Sequence, residues 1–153
     1  MKNNWGYIAG VMSFITGIII WKKRKRRIFV SYHSKNDAQY RKTLNMWSKN
    51  ENFDFDFDDK SVGISINSES ESVIKRGISR KINESNLVIC IIGEDTHNRP
   101  FVNWELEKAQ KLNKKIIPIK IKHNFKAPKC LLNQGINFIK FEQKSIQNAI
   151  YKC

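Results

Sequence analysis

Six apolar residues run unbroken from Leu87 to Ile92. A strand with one wet face alternates apolar and polar residues. A run without alternation, only six long and rich in β-branched side chains, fits a central strand of a parallel sheet covered on both faces. Parallel strands need crossover connections, usually helices, so the flanking sequence should alternate strand and helix, and it does. Residues 28–32 form a second short β-rich run, and 116–121 a third. Phe53, Phe55 and Phe57 alternate with Asp54, Asp56 and Asp58, the pattern of a strand with one buried face. A short fifth strand is expected at 137–141. Between them, Tyr40, Leu44 and Trp47 recur at helical spacing within 36–49, as do Ile74, Ile78 and Ile82 in the next segment. Further helices are expected at 101–112 and 145–151, and Ser34 with Asp37 is a possible capping box for the first. Ser68 with Glu71 is another. At 153 residues the chain has room for one such domain. The expected class is a doubly wound α/β sheet of five parallel strands with helices on both faces. Ligands of such sheets sit beyond the carboxyl ends of the strands, which directs attention to residues 31–36, 58–68 and 93–100.

The chain carries 28 Lys and Arg against 14 Asp and Glu, a net charge of +14. Seven of those cations and none of the acids precede Ile28, leaving +7 for the rest, so the total is not a nucleic-acid signal. The charge is concentrated in the run from Lys22 to Arg27, which directly follows an uncharged stretch at 5–21 bounded by Trp5 and Trp21. At about 1.5 Å per residue a helix there reaches ~26 Å, the short end of a bilayer span. Cations after the span predict a single-pass inner-membrane protein with its N-terminus outside and residues 28–153 in the cytoplasm. A signal peptide would place its cations first; a buried core helix or a nucleic-acid-binding run are the other readings. Gly6, Gly10, Ser13 and Gly17 share one helix face, a pattern for self-association between membrane helices. The expected division is residues 1–27 as membrane helix and basic flank, and 28–153 as the α/β domain.

Most chemistries lack their residues. There is no GxGxxG, no GxxxxGK[ST] and no GxSxG. The acidic alternation fails as a calcium loop because Asp59 stands where glycine is needed and Ser65 where glutamate is needed. A phosphate-accepting receiver would want acids at the end of the first strand, where this chain has Ser31, Tyr32 and His33. Cys90, Cys130 and Cys153 make no disulfide framework, and no Cys/His spacing suits a metal. Cys90, inside the apolar run, is expected to be a buried thiol. What remains is the segment from Thr96 to Glu105, which follows the central strand and opens a helix. Glu105 lies in its first turns, where the helix dipole favours an ionised carboxylate.

The runs Ile28-Phe-Val-Ser-Tyr-His33 and Val88-Ile-Cys-Ile-Ile-Gly93, with Asn98-Arg-Pro-Phe-Val-Asn-Trp-Glu105, together resemble the TIR-like (ThsB-like) proteins of the bacterial Thoeris antiphage system. The similarity spans about residues 27–122. It implies a TIR-like, flavodoxin-like fold that cleaves NAD and makes a cyclic ADP-ribose-type signal for a separate effector protein. The family's catalytic glutamate falls on Glu105, and its Ser-aromatic-His run on Ser31, Tyr32 and His33. The chain departs from the family in its membrane stretch and in having Phe101 where tryptophan is common. With NAD as substrate, no metal or cofactor is needed. An anionic Glu105 suits an oxocarbenium-like ribose. Tyr32, Phe101 or Trp104 suit stacking on a base; Arg99 and Lys35 suit the pyrophosphate; His33 suits ribose or phosphate. The expected partners are NAD, the effector, a second copy and the membrane, without nucleic acid. The alternative is a non-catalytic TIR-like adaptor at the membrane, and a Glu105 carboxyl turned to solvent would favour it.

Overall fold

A computed structural model describes residues 25–50, 53, 55–57 and 70–153. Five strands, β1 (Arg26–Ser31), β2 (Phe55–Phe57), β3 (Leu87–Ile92), β4 (Lys115–Lys120) and β5 (Ile139–Lys140), form one sheet in the order β2-β1-β3-β4-β5. All neighbours are parallel. The helices are α1 (Ala38–Ser48), α2 (Glu71–Glu84), α3 (Pro100–Lys111) and α4 (Gln143–Tyr151). Single 3₁₀ turns at Thr96–Asn98 and Lys129–Leu131 were not legible in the apolar pattern.

The unbroken apolar run is the central strand, and its side chains divide by parity. Leu87, Ile89 and Ile91 join Ile28 and Val30 in a core closed by Leu44 of α1 and Ile146 and Ile150 of α4. Val88, Cys90 and Ile92 join Phe29 in a second core under Ile78 and Ile82 of α2 and Val102 and Leu106 of α3. Each face therefore has its own helix pair, which is why β3 has no polar position. On the edge strand β2, Phe55 and Phe57 are buried and Asp56 is exposed, as the alternation predicts.

One part of the expected fold is corrected. Among the described residues no helix is long and apolar enough to cross a membrane. The longest, α2, has 14 residues, roughly 21 Å against the ~30 Å of a bilayer core. The 5–21 stretch that carried the expectation, with its glycine face, lies outside the described residues. The preceding transmembrane helix, the single-pass topology and the inner-membrane location are withdrawn with it. Two cations of the supposed topology signal have work inside the fold. Arg26 and Arg27 open β1; the Arg26 guanidinium donates to the Ile150 carbonyl at 2.7 Å, and Arg27 lies 3.8 Å from Glu84.

The first capping box is corrected too. Asp37, not Ser34, occupies the N-cap of α1, and its side chain makes no capping bond. Ser68 lies outside the described residues, and the N-cap of α2 is Ser70.

Candidate functional site

In a sheet of order 2-1-3-4-5 the connections leave β1 and β3 toward opposite faces, opening a crevice at the carboxyl ends of those two strands. Ser31 ends β1 and Ile92 ends β3. Parity turns Ser31 toward the α2/α3 face, with Cys90 as its register partner on β3. There the Ser31 hydroxyl donates to Glu105 Oε2 at 2.5 Å. Ser31 is fully buried and Glu105 half-buried.

Burial pushes the Glu105 carboxyl up to about 7, against the smaller lowering effect of the Ser31 hydrogen bond. The helix dipole does not prevail. Pro100 is the first residue of α3, so Glu105 sits in its second turn, beyond the reach of the unpaired N-terminal amides, and desolvation dominates. Burial, with Glu105 next, also holds the Cys90 thiol well above its usual value; Cys90 is buried and free. It is part of the floor under the carboxylate.

The loops after β1 and β3 meet over this floor. The Gly93 amide donates to Thr96 Oγ1 at 2.8 Å, and the Thr96 hydroxyl donates to Asp37 Oδ2 at 3.0 Å. The Asp37 amide donates to the His33 carbonyl at 2.8 Å. Gly93 is required here because a Cβ would fall inside the Asp37 carboxylate. His33 is 9% exposed, and its Nδ1 has no hydrogen-bond partner among the described residues.

The other expected site residues separate. Tyr32, one residue past Ser31, has opposite parity and packs against the α1/α4 core, so the Ser-aromatic-His run does not act as one surface. Arg99 pairs with Asp95, whose carboxyl is held below its usual value by the Asn98 amide and the Arg99 guanidinium. Trp104 packs on the α2/α3 core, and the Lys75 ammonium lies 5.5 Å from its ring centroid and 5.9 Å from that of Phe101. Lys35 is exposed, and residues 58–68 lie outside the described residues. Glu107 is exposed. Sequence reasoning missed Asp37, Gly93 and Thr96 as a unit; the available signal was a glycine directly after the central strand. A groove of about 590 Å³ beside β4 and α4 contains none of these residues. Among the described residues no three His, Cys, Asp or Glu side chains gather as a metal site.

An acid held over the switch point of a 2-1-3-4-5 sheet defines a class: α/β domains whose ligand lies across the carboxyl ends of β1 and β3. Residues 29–126 match the Thoeris protein ThsB, TIR-like domain, and the chain belongs to that family. Membership supports a general NAD-cleaving role. No curated protein matches the chain significantly. Among solved structures, the chain is similar to the CMP N-glycosidase BcmB of Clostridium botulinum, with 17% identity, 83% of this chain and 98% of that chain covered, and a TM-score of 0.55. It is similar to the TIR domain of a Toll-related receptor of Hydra magnipapillata at 14% identity, covering 82% and 91%, with a TM-score of 0.56. A 2-desoxiribosyltransferase of Leishmania mexicana is 12% identical over 82% and 96%, with a TM-score of 0.52. At these identities the likeness is one of fold.

The wider partner set is corrected. The glycine face that suggested self-association lies outside the described residues, no described helix crosses a membrane, and the family match covers the TIR-like domain alone. The effector, the second copy and the membrane are not retained, and NAD remains only through the family's NAD-cleaving role.

Proposed function

We propose that the chain cleaves the nicotinamide–ribose bond of NAD, with Glu105 as the catalytic residue. The observation that carries this reading is the Glu105 carboxyl, bonded to Ser31 in the β1/β3 crevice and poised at about 7. Nicotinamide departs from a cationic ring as a neutral molecule, so no general acid is needed. The bonding pair leaves with the ring nitrogen and the positive charge passes to the ribose. An anionic Glu105 stabilises that oxocarbenium-like centre, and Ser31 holds the carboxylate in one orientation. Water attacking C1′ yields ADP-ribose and a proton; the adenine ring attacking instead yields a cyclic product. His33, with a free ring nitrogen, is suited to a ribose hydroxyl or phosphate, and Arg99 can reach a pyrophosphate by exchanging its bond to Asp95. Trp104 and Tyr32 are weaker candidates, since both are committed to core packing. An adaptor would have no use for a desolvated acid in a crevice, and the carboxyl does not stand free in solvent.

This reading predicts a pH profile. The active form is the anion, so kcat/KM for nicotinamide release should rise with pH through about 7. Ser31→Ala removes a hydrogen bond that favours the anion, so the midpoint should move to higher pH. Initial rates between pH 5.5 and 9 check both; a profile flat across that range, or an unmoved midpoint, contradicts the assignment.

A further inference from the structure

We propose that Asp37 is a positioning residue: its carboxylate locks the loop after β1 to the loop after β3 and so holds His33 over the crevice that contains Glu105. The inference rests on the NAD-cleaving reading for its activity readout only.

Asp37 stands at the N-cap of α1, where an aspartate ordinarily accepts a bond from the first turn of its own helix. It makes no such bond. The carboxylate instead crosses to the loop after β3 and accepts from Thr96, whose own oxygen is fixed by the Gly93 amide. Thr96 is fully buried and Asp37 nearly so. Burial raises the Asp37 pKa, with the Thr96 hydrogen bond and then the neighbouring His33 charge acting in the opposite direction. The fold thus gives up a helix cap and desolvates a carboxylate to make this link. Local rules broken together in this way mark a functional constraint.

The link has a defined output. Asp37 is four residues from His33, and its amide closes a turn on the His33 carbonyl. Fixing Asp37 therefore fixes the turn that carries the imidazole. His33 is 9% exposed, and its Nδ1 is buried with no partner among the described residues, so the turn closed by Asp37 is the contact shown here that places the residue. Gly93 completes the device, since any side chain there would expel the Asp37 carboxylate.

The test compares Thr96→Val, which keeps the shape but loses the hydroxyl, with Thr96→Ser, which keeps the hydroxyl. Full-length protein is assayed for kcat and KM with NAD, and the assigned Cε1–H signal of His33 is followed by NMR. Thr96→Val is expected to lower kcat about tenfold or more, with KM within about threefold, and to shift or broaden the His33 signal. Thr96→Ser should retain kcat within about threefold and leave the signal in place. Should Thr96→Val not fold, Asp37→Asn serves in its place against the same control. A folded variant with parental kcat and an unmoved His33 signal overturns the proposal, as does equal loss in Thr96→Ser. If the parent releases no nicotinamide, the NAD reading fails by itself, and the His33 signal alone decides whether the clamp positions the ring.

Discussion

Glu105→Gln is expected to lower kcat for nicotinamide release by about 10²-fold or more, roughly 2.7 kcal/mol of transition-state stabilisation, the scale of a single preorganised electrostatic group. Glutamine matches glutamate in size and can still accept the Ser31 hydroxyl, so the substitution removes charge and little else. KM for NAD should move little, because the positive charge reaches the ribose only as the bond breaks. Glu107 lies on the same helix but is exposed, and Glu107→Gln should leave kcat within about twofold. A loss shared by both variants would locate the effect in the helix rather than in Glu105.

The same substitution should stabilise the protein, in one pH window. In the folded chain the Glu105 carboxyl is raised from 4.5 to about 7 by burial. Between those values the unfolded chain has released the proton while the folded one keeps it, so stability falls as pH rises and levels off above about 7. The full difference is about 3 kcal/mol. Glutamine mimics the protonated acid and escapes the loss. Glu105→Gln should therefore unfold at the parental temperature at pH 4 and about 6–12 °C higher at pH 8. Asp37 is also raised by burial and adds a slope of the same sign, but to both proteins, so it cancels in the comparison. Thermal melts by circular dichroism at the two pH values provide the check. A difference that is the same at both would mean that charge burial is not its source.

These two expected effects are opposite faces of one feature, a carboxyl raised by burial at the expense of the fold, and such features are only partly legible in sequence. The central strand was plain because six apolar residues without alternation satisfy no arrangement in which one face is wet. The strand at 53–58 was legible for the complementary reason, one phenylalanine at every second position, although only Phe55–Phe57 pairs in the described residues. The segment from Thr96 to Glu105 singles out Glu105 as a candidate, but the ionised state expected from the helix dipole does not hold: the dipole argument concerns the first turn, and desolvation depends on which residues close over the carboxyl. The family resemblance groups Tyr32 with Ser31 and His33, whereas the structure packs Tyr32 against the opposite core.

Asp37 was out of reach for a different reason. As part of a capping box with Ser34 it looked like a local signal, and nothing local says that its carboxylate bonds Thr96, 59 positions away. Only the sheet order brings the two loops together. The basic run shows the converse error. Six cations after an apolar stretch read as a topology signal, yet Arg26 and Arg27 belong to β1 and hold its neighbours.

Glu105 in the β1/β3 crevice is proposed to break the nicotinamide–ribose bond. Chromatographic measurement of nicotinamide released from NAD by the full-length parent at pH 8, beside Glu105→Gln at the same concentration, tests it most directly. Multiple turnovers by the parent are expected, with ADP-ribose or its cyclic form appearing in equal amount, and release at least about 10²-fold slower from the variant. Release by the two proteins at equal rates, or none from a folded parent at any protein concentration, would contradict it.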